Sequence, residues 1–209
     1  MDATGHMCNS MLQASISYIS INPRFCDVIT RNADIVRNFK KVTFMPVVLA
    51  EANYLLDTFI RDTTCVLISC KMFDTSIAVV TGDQLVALET IHMGTAHVIN
   101  DISLVKNCDY ISAQAMLAHY KGEGEIAKIV TARIEDIAEQ IQSTIGIIDP
   151  ALYSKPVYIC GGYIDAIPNA KKIIEQALVT KITQLACPYN ETNKPDITSR
   201  DAVIYVTLN

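Results

Sequence analysis

Two near-continuous apolar runs, Val66-Leu67-Ile68 and Ile77-Ala78-Val79-Val80, flank five residues, Cys70 to Asp74. Runs of this kind mark strands covered on both faces, so the stretch reads as a hairpin inside an α/β sheet. Its tip leaves the sheet where such proteins place their ligands. Thr81-Gly82-Asp83 then reads as a turn and residues 84–91 as a third strand, which completes a meander. Upstream, the alternation of residues 16–21 (ISYISI) predicts a half-buried strand, and Asn22-Pro23 predicts a helix start, with Phe25, Val28, Ile29 and Val36 on one face. Residues 42–45 read as a short strand closed by Pro46. Val48, Ala52, Leu55 and Phe59 then recur at helical spacing.

Downstream of the meander, Val98, Ile102 and Val105 form the stripe of a helix, and residues 112–121 a short helix ended by Gly122 and Gly124. The clearest pattern lies over residues 125–144. There Ile126, Val130, Ile134, Ile137, Ile141 and Ile145 repeat at three and four residues over five turns, predicting a helix with one buried stripe and Arg133, Glu135, Asp136 and Glu139 outside. Residues 157–162 follow as a strand and a glycine turn. A helix is expected over 168–178, a polar loop over 187–199, and a last helix or strand over 202–208.

Composition narrows the classes. The chain has 209 residues, 50% of them apolar and 19% charged, which suits one large or two small globular domains. No run of 18 apolar residues predicts a spanning helix. The net charge of −5, with no basic block beyond Lys40-Lys41 and Lys171-Lys172, argues against a nucleic-acid partner. The first ten residues lack a secretory pattern. Seven cysteines without CxxC spacing suit reduced thiols in the cytoplasm. His6, His92, His97 and His119 have no metal-ligand spacing, and no Gly-x-Ser-x-Gly or Ser/His/Asp pattern offers a hydrolase nucleophile.

The hairpin resembles the second phosphate-binding hairpin of actin-like ATPases, most closely that of the bacterial cell-division family FtsA. Family tips resemble Asp-Ile-Gly-Gly-Gly-Thr followed by a strand like Ile77-Ala78-Val79. Aligned on that strand, the family's aspartate falls on Ser69, its glycines on Lys71, Met72 and Phe73, and its threonine on Asp74. The resemblance implies that the frame is kept while the metal-holding acid and the glycine cradle are lost; the three side chains are expected to fill the phosphate space. It continues in order. Gly94-Thr95 stands for a family Gly-Gly pair, and Ile99-Asn100-Asp101-Ile102 for the start of the next helix, with Asp101 expected to favour the helix N-terminus. Ala113 to Leu117 stands for an Ala-Glu-x-x-Lys segment that contacts the nucleotide's sugar and base, with Gln114 replacing the acid and Leu117 the lysine. Gly161-Gly162 matches the turn that holds adenine and ribose in the family. Ala132-Arg133-Ile134-Glu135-Asp136 resembles the surface on which FtsA members dock the tail of the tubulin-like protein FtsZ, which makes Arg133 and Asp136 the expected partner residues.

The expected fold is therefore α/β: an actin-like (ribonuclease H-like) lobe with a central mixed sheet, flanking helices and a helical subdomain. Residues 1–63 read as a polar tail plus a remnant of the first lobe, and 64–209 as the second lobe with subdomains 2A and 2B. The family's N-terminal Asp-x-Gly hairpin and its C-terminal membrane-anchoring helix find no counterpart in this sequence. The implied function is a non-catalytic, FtsA-like protein acting through contacts with FtsZ in division-ring assembly, cytoplasmic and recruited to the division site, with self-association open. No cofactor is committed. The alternatives are a switch that binds ATP with magnesium, with Gly161, Gly162, Gln114 and Asp74 as vestigial nucleotide contacts, or an actin-like module serving pilus assembly or cell shape.

Overall fold

A computed structural model describes residues 20–37, 44–82, 84–161, 164 and 167–185. The chain divides into two compact units, Met1–Phe44 and Met45–Asn209. In the first, Pro23–Arg37 forms helix α1, opened by Asn22, whose side chain accepts from Arg24 N at 3.0 Å. The helix stands where the Asn-Pro signal put it, but its apolar positions Phe25, Val28 and Ile29 are exposed. The strands predicted over 16–21 and 42–45 lie largely outside the described residues; Ser20, Ile21, Phe44 and Met45 themselves are not in a strand.

The second unit begins with α2 (Val47–Leu55) and α3 (Thr58–Arg61). The sequence suggested one helix carrying Phe59 inward. Instead the chain breaks at Leu56, which is buried, and Asp57 caps α3 by accepting from Phe59 N at 3.3 Å, leaving Phe59 exposed. A side-chain cap satisfies an N–H that has no intrahelical partner, so aspartate at this position starts a new helix.

The meander follows as β1 (Cys65–Cys70), β2 (Thr75–Thr81) and β3 (Gln84–Ile91), the turn after β2 taking Gly82 at φ +60°. Every residue of β1 is buried, as the unbroken apolar run required. After β3 come α4 (Thr95–Lys106), α5 (Tyr110–Ala118) and α6 (Ala127–Ile148), then a short 3-10 turn (Pro150–Ser154), β4 (Val157–Cys160), α7 (Ala170–Leu178) and β5 (Ile182–Gln184). The sheet order is β3-β2-β1-β4-β5, antiparallel through the meander and parallel from β1 to β4 to β5. Strand β5 was not legible as a strand, because three residues are too few to show a period.

One face of the sheet packs Val66, Ile68, Ile77 and Val79 against α4, α6 and α7. All six apolar positions foreseen on α6 are buried there. At about 1.5–3 kcal/mol for each fully buried branched side chain, that stripe is a major apolar contribution in the lobe. The other face packs Cys65, Leu67, Ala78 and Val80 against α2 and Leu185. Val105, expected inside, is exposed together with Leu104 in the last turn of α4, which ends at Asn107 in the left-handed region (φ 50°). Asp109 then caps α5, accepting from Ser112 N at 2.9 Å.

Candidate functional site

The hairpin tip, Lys71 to Asp74, is closed by Lys71 N donating to the Asp74 carbonyl at 2.8 Å. The tip is docked on the start of α4: Thr95 N donates to the Lys71 carbonyl at 3.2 Å and Ala96 N to the Met72 carbonyl at 2.7 Å. Thr75 Oγ1 adds a bond to the Met93 carbonyl at 2.8 Å. Helix N-termini offer free N–H groups that suit an anion. At α4 two of these donors are already taken by the hairpin backbone. The approach is close enough that a Cβ on Gly94 would lie 2.4 Å from the Lys71 carbonyl oxygen, so glycine is required there by packing.

Beneath the tip lies a polar cluster. Ser69, where the resemblance expects an aspartate, is fully buried at the end of β1, and Glu51 of α2 is only 4% exposed. Glu51 Oε2 and Ser69 Oγ are both buried without a hydrogen-bonding partner. Burial pushes the Glu51 carboxyl above its ordinary pKa. The Ser69 hydroxyl, near it but outside hydrogen-bond geometry, and the Lys71 charge pull it partly back, while Asp74 adds to the rise. Lys71 Nζ lies 3.7 Å from Asp74 Oδ1 and makes a long 3.5 Å contact to Ser76 Oγ. Of the three side chains expected to fill a phosphate space, Lys71 and Met72 are half-buried. Phe73 does not fill it: its ring is exposed, because the two carbonyls on either side of Met72 bond inward and turn the next residue out. Sequence reasoning missed Glu51 as a member of this cluster. Its position between apolar neighbours on α2 was the available signal.

Gly161, at φ +132°, sits against the end of β1, where a Cβ would stand 1.8 Å from the Cys70 carbonyl oxygen. This close backbone contact by itself accounts for the glycine. Gly162 lies outside the described residues. Gln114 is exposed on α5, which packs on α4. Asp74 and Gly161 thus flank the same end of β1, while Gln114 belongs to the helical layer. A cavity of about 180 Å³, lined by residues including Ile159, Asn169, Lys171 and Gln184, lies by β4, β5 and the start of α7. It falls below the several hundred Å³ usual for a cofactor site.

Arg133 and Asp136 do meet on the outer face of α6, with Nη1 to Oδ2 at 3.3 Å. Arg133 is already engaged in a two-pronged pair with Asp101 of α4, Nε to Oδ2 at 2.5 Å and Nη2 to Oδ1 at 3.0 Å. The Asp101 carboxylate holds the Arg133 guanidinium above its usual pKa. Asp101 is therefore not an N-terminal charge: α4 starts at Thr95, a turn and a half earlier, and the acid's work is to join α4 to α6.

The antiparallel meander, the helical crossover and the two further parallel strands make a lobe of actin-like fold, which known structures share. The chain is similar to the ethanolamine utilization protein EutJ from Carboxydothermus hydrogenoformans (17% identity, 77% of this chain and 55% of that one, TM-score 0.60). It is also similar to a chain of a PilM-PilN type IV pilus biogenesis complex (13%, 80% and 52%, TM-score 0.66). A third likeness is to MreB5 of Spiroplasma citri bound to AMPPNP (12%, 79% and 60%, TM-score 0.65). The chain thus spans between about half and three-fifths of the length of these structures. No protein-family model matches it, and no curated protein does. Among the described residues no helix is long and apolar enough to cross a membrane.

Proposed function

We propose that this chain is an actin-like module that works through protein contacts and does not hydrolyse ATP. The observation that carries this reading is the docking of the Lys71 and Met72 carbonyls on the N–H groups of Thr95 and Ala96. Phosphoryl transfer depends on preorganised donors and a metal aimed at the phosphates. Here two donors beside the hairpin are satisfied from within, and the metal aspartate is a serine. The tight packing of Gly161 on Cys70 also removes the need for a nucleotide to explain that glycine.

Within that class, the FtsA type remains our specific proposal, with the tail of a tubulin-like division protein as partner and the division site as its place of work. Its support is the α6 surface, where Arg133 could exchange its Asp101 carboxylate for one in a peptide tail. Fluorescent ATP with magnesium should show no saturable binding to the chain; micromolar binding would overturn the non-catalytic reading. An FtsZ C-terminal peptide should bind the wild type and lose affinity with Arg133→Glu. Asp101→Asn, which frees the arginine, should bind it more tightly. Absence of peptide binding to all three would remove the FtsA assignment and leave the actin-like module.

A further inference from the structure

The resemblance to actin-like ATPases implies a divalent ion at the second hairpin of a nucleotide site. Oxygen ligands are plentiful there: the Glu51 and Asp74 carboxylates and the Ser69 and Ser76 hydroxyls gather about one end of the hairpin. Hard cations want such ligands in numbers. A fixed ammonium stands among them. Lys71 Nζ is 3.7 Å from Asp74 Oδ1 and 3.5 Å from Ser76 Oγ, and its charge also reaches Glu51. Like charges repel most where water is excluded, and Glu51 is nearly sealed. Among the described residues no three His, Cys, Asp or Glu side chains are arranged to hold a metal, so an ion at the tip would have to complete its shell from two carboxylates, serine hydroxyls and water in the place that the ammonium takes. The residues present therefore do not fit a divalent ion.

We propose that Lys71 is a tethered cation: its ammonium supplies the positive charge that Glu51 and Asp74 require and excludes a metal from the hairpin tip. This rests on the non-catalytic reading above and gives the lost glycine a positive role. A lysine stem, unlike an exchangeable ion, holds its charge at the tip without any ligand, so the carboxylates there are compensated whatever the metal or nucleotide supply. The two orphaned atoms, Glu51 Oε2 and Ser69 Oγ, carry the corollary. With the ammonium gone, they are the buried oxygens that an entering ion would meet.

The test is a manganese titration of the full chain without nucleotide, followed by electron paramagnetic resonance, with magnesium as competitor. The wild type and Lys71→Arg should show no specific site. Lys71→Met should gain one, with affinity at least about tenfold above the wild type, and Lys71→Met with Glu51→Gln should lose it again. If Lys71→Met loses the native circular dichroism spectrum, Lys71→Gln carries the same readout. Manganese binding by the wild type, abolished by Glu51→Gln, would overturn the proposal, and so would a folded Lys71→Met or Lys71→Gln chain that binds no manganese. Because nucleotide is absent from this titration, its result is separate from the ATP experiment: ATP binding by a wild type that rejects manganese would sink the functional reading and leave this one standing.

Discussion

The molecule carries two small charged clusters built from the same parts, one cation and two carboxylates. At the hairpin tip Lys71 faces Asp74 and Glu51, and on the helical layer Arg133 faces Asp101 and Asp136. They differ in burial and in hydrogen bonding. Arg133 and Asp101 are bonded at two points and remain partly open to water, so each charge is satisfied and little energy rides on the pair. Glu51 is sealed, one of its oxygens has no partner, and its burial is only partly offset, first by the nearby Ser69 hydroxyl and then by the Lys71 charge. Composition alone would rank the clusters as equals. Desolvation makes the first costly to leave without its cation and the second a joint that can be exchanged.

The largest effect is expected where the hairpin end meets the backbone of β4. Gly161→Ala places a Cβ inside the Cys70 carbonyl at a φ that side chains avoid, and should cost more than about 4 kcal/mol or abolish folding. Gly124→Ala is the control for the left-handed strain alone: φ is +101° but nothing lies within 4 Å, so the loss should be about 1–2 kcal/mol. Urea denaturation separates the two, and equal losses would mean that packing at β1 does not decide the matter.

The buried cluster should come next. Lys71→Met should destabilise by about 2 kcal/mol at neutral pH, below the 3–5 kcal/mol of a fully buried pair because the lysine is a third exposed. Combined with Glu51→Gln, much of that loss should vanish, since the carboxylate left uncompensated is gone. The pH sign follows from burial. The folded pKa of Glu51 is raised above its ordinary 4.5, so its contribution to stability is fully present below that value and is lost as pH rises through the folded pKa. Glu51→Gln should therefore flatten the high-pH side of the stability profile and raise Tm at neutral pH by roughly 2–4 °C, the equivalent of about 1 kcal/mol in a domain of this size. A wild-type profile that gains stability over that range would contradict the burial argument.

The smallest effect belongs to the surface joint. Arg133→Gln should cost about 0.5–1 kcal/mol, and the difference should shrink as salt rises. A loss as large as that of Lys71→Met, insensitive to salt, would erase the contrast between the two clusters.

Much of the lobe was legible from periodicity. The meander, the α6 stripe and the β4 strand show in the sequence because each carries an uninterrupted run or repeat, and the likeness to an actin-type lobe followed from their order. Capping and short elements were harder. Asp57 split a helix that Phe59 seemed to extend, and β5 was too short to have a pattern. The site was the least legible part. Phe73 was expected to fill space and points outward, the packing of Gly161 on Cys70 showed in no local pattern, and Glu51 gave no motif at all.

The chain by itself determined most of the strands and helices and that Lys71, Met72 and Phe73 stand at the hairpin tip where the resemblance expects glycines, since these are properties of residue type and spacing. Only the tertiary structure decided that the tip's carbonyls occupy the α4 donors, that Asp101 is held by Arg133, and that Glu51, Lys71 and Asp74 share one site. Those outcomes depend on which distant segments are brought within a few ångströms and on how much water is left between them, and neither is written in any local pattern.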